Sequence, residues 1–341
     1  MLAAVLVKSK KDLKVLDIDL PKKLNFGQVL VKLKYSGICG AQINEIDAVK
    51  GKDKFLPHLL GHEGSGIVQR VGEGVTTVNK GDKVVLHWKK GEGIESQTPI
   101  YNYHKKKINA GWVTTFNEYA VVSENRVTKI PNDFDLKAAT LFGCSLTTAY
   151  GVINNNANLK IGQSVIIIGI GGVGLNLVQA SSLVSAYPIV GIDINQNKLD
   201  FGKKLGMNFG IKYNEKFKSG LLKRFLNKEK ADVVIETTGK SSMIELAYEL
   251  TSNNGKTILV GVPNKKIKIY SLPLHFDKIL KGSHGGNGNP SVDIPNYINL
   301  IKYKKINLKT LITHEFKLKD INKALKLFRT GSAGRILIKF D

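Results

Sequence analysis

Two hydrophobic patterns divide the chain. Up to about residue 150, short apolar runs recur at Ala3–Val7, Val29–Leu33, Gly66–Val71, Asp82–Trp88 and Asn117–Val122. Asn25-Phe26-Gly27, Gly72-Glu73-Gly74 and Lys80-Gly81-Asp82 punctuate them as turns. Short strands between turn signals predict a β-rich barrel or sandwich, not a βαβ array. From about residue 156 strands and helices alternate. Val165–Ile168, Ile189–Ile192, Val233–Glu236 and Thr257–Val260 read as buried strands. Leu175–Ser185, Gln196–Leu205 and Ser241–Leu250 read as helices. Ile279–Gly282 adds a sixth strand after a short one near Ile267–Tyr270. Right-handed crossovers then give an α/β fold with a doubly wound parallel sheet. The tail predicts helices near Pro295–Lys302 and Lys319–Phe328, then a last strand Arg335–Phe340.

The junction after Val165–Ile168 carries the first chemical signal. Gly169, Gly171, Gly172 and Gly174 follow the strand at once, and a helix is predicted to begin near Val173. Gly169 permits the tight turn, Gly171 lets a phosphate approach the backbone, and Gly174 lets the helix lie close to the strand. The helix N-terminus offers free N–H groups and a positive dipole end to a pyrophosphate. The next strand ends in Asp193, 19 residues after Gly174. A carboxylate there accepts hydrogen bonds from both adenosine ribose hydroxyls and repels a 2′-phosphate, which favours NAD over NADP.

Length and composition narrow the class. At 341 residues the chain has room for about two domains. The apolar N-terminus reads as a first strand, since no charged region precedes it and no cleavage site follows. No run approaches the ~20 apolar residues of a membrane span. Two cysteines make no disulfide framework, so a reducing cytoplasm is expected. The net charge of +23 raises the question of a nucleic-acid partner. The positive residues are nearly all lysines spread along the chain, with arginine only at 70, 126, 224, 329 and 335. Base-edge reading leans on arginine, and no nucleic-acid module is visible, so neither nucleic acid nor membrane is an expected partner.

The other chemistry lies in the first region. Cys39, His62 and Cys144 bring two thiols and an imidazole, and Glu63 sits beside the histidine. Soft thiolates with an imidazole suit zinc, and three protein ligands leave a fourth position open. The residues are far apart in sequence, so by type alone they are either a shared site or buried core residues. At this point the chain resembles the zinc-dependent medium-chain alcohol dehydrogenases. Gly61-His62-Glu63-x-x-Gly66-x5-Gly72-x-x-Val75 matches that family's zinc signature, and the likeness extends through the glycine loop, Leu311–His314 and Gly334–Leu337.

The resemblance implies a GroES-like catalytic domain at 1–155, an NAD-binding Rossmann domain at 156–290 and a return to the catalytic domain at 291–341. It implies an oxidoreductase that passes a hydride between NAD and an alcohol or carbonyl, with one catalytic zinc per chain polarising the substrate oxygen. Cys39, His62 and Cys144 match its zinc ligands, and Glu63 its zinc-adjacent glutamate. Thr148 and Val173 match nicotinamide contacts, Asp193 and Lys198 the adenosine-ribose contacts, and Arg335 an arginine on the pyrophosphate. Trp88 falls where an aromatic pocket wall is common, whereas Phe142 reads as core. The family's dimers and tetramers imply a homo-oligomer. A zinc-free quinone or enone reductase of the same fold is the alternative, and the ligand trio with Asp193 argues against it.

Two departures stand out. The stretch Lys89 to Gly111 contains none of the four cysteines that hold a structural zinc in many members. Packing or a partner chain must therefore hold it, and His87 and His104 read as core or surface histidines. After Cys39, Ala41 stands where a hydroxyl usually relays the substrate proton, and Gln42 where an aspartate orients the ligating histidine. Glu45 is then a candidate acid/base.

Overall fold

Gln28–Gly37 is the strand on which the N-terminal region is built, and its buried positions explain why. Val29, Val31 and Leu33 face one core with Val68, Val84, Leu86 and Phe116, while Leu30 faces another with Val5, Tyr101 and Val121. A strand covered on both faces needs apolar residues on both. In the computed structural model, which describes all residues except 215, 216, 218, 227, 264, 305 and 307, Gln28–Gly37 pairs antiparallel with Glu63–Val71, Tyr119–Ser123 and Arg335–Lys339. The chain end thus returns to the sheet its start laid down, and two compact units result. One comprises Met1–Thr147 with Asn289–Asp341; the other is Thr148–Gly288.

In the first unit a seven-stranded sheet carries Glu63–Val71 and Lys83–His87, and a second sheet of five strands begins with Leu2–Leu6. The expected strands are present with ends shifted by a few residues. The cysteine-free stretch forms a hairpin, Ile100–Tyr103 with Lys106–Asn109, anchored by the fully buried Tyr101, whose hydroxyl accepts the Val121 N–H.

Hydrogen bonds within the chain, centred on one carboxylate, hold the segment before this hairpin. Glu124 is 1% exposed. Its Oε1 accepts the N–H groups of Thr76 and Thr77 at 2.7 and 2.8 Å, and its Oε2 that of Ile94 at 2.8 Å. Arg126 adds contacts to the Trp88 carbonyl and to Glu95. His87 is buried and neutral, its pKa pushed down to about 4 by burial, with Nδ1 on the Lys89 carbonyl and Nε2 on Thr128. Phe142 is core, edge-on to Phe134.

The second unit is a six-stranded parallel sheet. Its order is Phe209–Lys212, Ile189–Asp193, Val165–Ile168, Ala231–Glu236, Thr251–Leu259, Ile279–Gly282. The chain starts at the third strand, winds outward, then reverses, so the strand ends at Val165–Ile168 flank the topological switch point where such sheets bind ligands. One expectation fails here: Ile267–Tyr270 forms no strand, and the sixth position goes to Phe209–Lys212. Among the described residues no single helix is long and apolar enough to cross a membrane.

Candidate active site

Three separate elements bring Cys39, His62 and Cys144 together. Cys39 is the extended residue that caps helix Gly40–Ile46. His62 directly precedes strand Glu63–Val71. Cys144 follows the short helical turn Thr140–Gly143. Gly143 is what lets that turn reach the strand: a Cβ there would lie 2.5 Å from the Leu86 carbonyl and 2.7 Å from Glu63 Cα. The Ser65 hydroxyl binds the turn from the strand side, donating to the Leu136 carbonyl at 2.6 Å and contacting Thr140. Ser36 and Thr115 do the same for the Glu63 carbonyl.

A nitrogen of His62 and the two sulfurs lie within 4.8 Å of one another. Nδ1 of His62 is 2.5 Å from Nε2 of Gln42. Nε2 of His62 is buried and has no hydrogen-bond partner among the described residues. An orphaned imidazole nitrogen beside two thiols fits a metal ion, and soft sulfur donors fit zinc. The hydrogen bond from Cys144 outweighs burial and, with the charge of the neighbouring His62, pulls the Cys39 thiol well down, toward the thiolate a metal requires. The same bond and burial push the Cys144 thiol up. Burial lowers His62, but the neighbouring Cys39 and Glu63 outweigh it and leave the ring raised.

Glu63 is fully buried beside this trio and pairs with the buried guanidinium of Arg335. Burial raises its carboxyl in spite of the arginine. Arg335, for which the resemblance implies a pyrophosphate contact, has one guanidinium nitrogen on Glu63 and its Nε without a partner among the described residues. Glu45 lies about one and a half helical turns beyond Cys39 and is exposed; desolvation by the surrounding protein raises its carboxyl against the opposing charges of His62 and His58. Ala41 is exposed and Trp88 half-buried.

The second unit holds the glycine loop. Gly171, at φ −83°, caps helix Gly172–Leu183, and a Cβ there would meet nothing within 4 Å. Neither conformation nor packing demands glycine at this position, so the open space fits a ligand brought against the backbone. Gly174 differs, since a Cβ would lie 2.0 Å from the Gly169 carbonyl. Gly169 itself has φ +91° and touches Thr237. Asp193 ends its strand with Oδ2 accepting the Ile170 N–H at 2.7 Å and Oδ1 that of Asn195 at 2.8 Å. Its carboxylate is thus tied to the glycine loop and keeps lone pairs for further donors. Val173 lies in the first turn of the helix, Lys198 is half-buried on helix Gln196–Lys204, and Thr148 is buried on helix Ser145–Gly151.

Sequence reading missed Glu236, a fully buried carboxylate at the end of the neighbouring strand. It accepts N–H groups of Thr238 and Gly239 and shapes the loop that faces Gly169. A lone acid before Thr-Thr-Gly was the available signal.

Residues 25–132 match the family model Alcohol dehydrogenase GroES-like domain, and residues 172–303 the model Zinc-binding dehydrogenase. Alcohol dehydrogenase 6 of Peromyscus maniculatus is 32% identical over 98% of this chain and 96% of its own length. S-(hydroxymethyl)glutathione dehydrogenase of Paracoccus denitrificans is 28% identical over 99% of each chain. Benzyl alcohol dehydrogenase from Acinetobacter calcoaceticus shares the fold with a TM-score of 0.90 at 24% identity, covering 100% of this chain and 99% of its own. The chain belongs to the zinc-dependent alcohol dehydrogenase family, with a GroES-like catalytic domain and a Rossmann domain.

Proposed function

We propose that this alcohol dehydrogenase holds its catalytic zinc on Cys39, His62 and Cys144 and its NAD on the loop Gly169–Gly174 with Asp193. What supports this most is the clustering of half-buried Cys39 and His62 with buried Cys144, the buried Nε2 of His62 being without a hydrogen-bond partner among the described residues. When bound, zinc supplies Lewis-acid polarisation of the substrate oxygen and NAD supplies the hydride acceptor. The chain's own groups do the rest. Gln42 holds the His62 ring and the Cys39 backbone. The Glu63–Arg335 pair keeps a compensated carboxylate beside the trio. Gly171 leaves the space a phosphate takes, and Asp193 accepts from ribose hydroxyls. Thr148, Val173 and Lys198 complete the cofactor contacts. Oxidising an alcohol releases one proton, and Glu45, with its raised carboxyl, takes it up in place of the hydroxyl missing at Ala41.

The working test is elemental zinc together with NAD reduction over a panel of primary alcohols, polyols and S-(hydroxymethyl)glutathione. Zinc retained in Cys144→Ala overturns the ligand set, and no turnover on any alcohol by zinc-loaded protein overturns the function. Ligands that must stay thiolates suit a reducing cytoplasm. We infer a homo-oligomer from the second unit: Ile279–Gly282 is an outer strand, and Tyr270, Leu272, Phe276 and Ile279 near it are exposed. A monomer by light scattering at micromolar concentration contradicts this.

A further inference from the structure

Gln42 stands between two of the three metal donors. It is fully buried. Its Oε1 accepts the Cys39 N–H at 2.8 Å, and its Nε2 lies 2.5 Å from Nδ1 of His62. A backbone N–H can only donate, so the first contact decides which end of the amide is oxygen. The other end is a donor and meets Nδ1 as an acceptor. In the neutral ring that places the proton on Nε2, the atom a metal needs bare. When Nε2 ligates, the ring proton moves to Nδ1 and faces the amide N–H. Two donors then oppose each other, and one amide oxygen has two N–H groups to serve.

We propose that Gln42 is a positioning residue that fixes Cys39 and His62 in place while disfavouring the ligating tautomer, so that this centre holds its metal more weakly than the same trio would beside a carboxylate. The inference rests on the zinc reading above. A carboxylate of the same length accepts from both Cys39 N–H and Nδ1–H, and partners of this kind change metal affinity by about 10–100-fold. The chain lacks the cysteines of a second zinc site and holds the corresponding stretch through Glu124, so zinc binding at the trio is read on a protein whose remaining structure does not depend on that metal.

The test uses the full-length apoprotein and Zn²⁺ alone, in competition with a chromophoric chelator. Gln42→Glu is expected to lower the zinc Kd by about 10–100-fold. In parallel, ring ¹⁵N shifts of His62, assigned by comparison with His62→Gln and read above the ring's titration, are expected to show the Nε2–H tautomer in the wild-type apoprotein. They should show Nδ1–H after zinc is added. The tautomer needs no substitution at position 42, so it stays decisive if Gln42→Glu does not fold. An unchanged Kd in folded Gln42→Glu, or an Nδ1–H ring in the wild-type apoprotein, overturns the proposal. Failure of both proteins to bind zinc overturns it together with the zinc reading. Tighter zinc in Gln42→Glu without alcohol turnover supports it and leaves only the proposed activity in error.

Discussion

Replacing Glu124 by glutamine exchanges one oxygen for an NH₂ group and removes the charge on which three backbone N–H groups converge. Hydrogen bonds to a charged acceptor contribute about 1.5–3 kcal/mol each and neutral ones about 0.5–1.5, while a buried donor left unpaired costs about 1–3 kcal/mol. In Glu124→Gln the retained oxygen can serve Thr76 and Thr77 at neutral strength, while the NH₂ faces the Ile94 N–H, donor against donor. Weakening two bonds by about 1–1.5 kcal/mol each and stranding the Ile94 N–H at about 1–3 gives a loss of about 3–6 kcal/mol, with the side chain's volume unchanged. For a 150–250-residue domain each kcal/mol moves Tm by about 2–4 °C, so a drop of roughly 6–24 °C is expected at pH 7. Local opening should show first at Lys89 and Lys90, which trypsin would cut faster in the variant. The sign with pH follows from the carboxyl. Burial acts to raise it, but the N–H groups of Ile94, Thr76 and Thr77 outweigh burial and hold it below its ordinary value. Its contribution is thus present above the unfolded value of about 4.3 and is lost as pH falls through the lower folded value. The wild-type advantage should shrink in that acid window. A Glu124→Gln protein within about 0.5 kcal/mol of wild type at pH 7, with unchanged tryptic cutting, would refute the reasoning.

Gly171→Val should fold with near-normal stability and bind NAD at least ten-fold more weakly by fluorescence titration, whereas Gly174→Ala should lose stability even without cofactor, because its Cβ meets the Gly169 carbonyl. Equal effects of the two on Tm would contradict the assignment of Gly171 to ligand space. Glu45→Gln should lower kcat for alcohol oxidation and flatten the acidic limb of its pH profile, since the wild-type carboxyl becomes a base only above its raised value. An unchanged profile removes Glu45 from the proton path. Chelation of zinc should abolish turnover and leave far-UV circular dichroism intact, as the Lys89–Gly111 stretch is held by side chains.

The elements most readable in the sequence were those whose pattern is local. Val165–Ile168 and Ser241–Leu250 were read with their observed ends, because an uninterrupted β-branched run and an amphipathic ten-residue repeat announce themselves. Ile267–Tyr270 also alternates, yet forms no strand, and the place beside Thr251–Leu259 goes to Ile279–Gly282. Phe209–Lys212 is short, contains a glycine and has no fully buried residue, so its pairing with Val190–Asp193 leaves little local trace. The helix expected near Pro295 starts at Pro290, where Asn289 caps it and a proline is tolerated in the first turn. In the site, the trio and Gln42 were legible through residue types set against a known signature. Glu124 and the Arg335–Glu63 pair were not, because their partners lie tens to hundreds of residues away and only the folded sheets bring them together.

Catalysis as proposed here depends on zinc held by Cys39, His62 and Cys144, and the zinc content of the protein decides it. Elemental analysis of protein made in metal-replete medium should find about one zinc per chain in wild type and almost none in Cys144→Ala. No zinc in the wild type, or an undiminished zinc in Cys144→Ala, would contradict it.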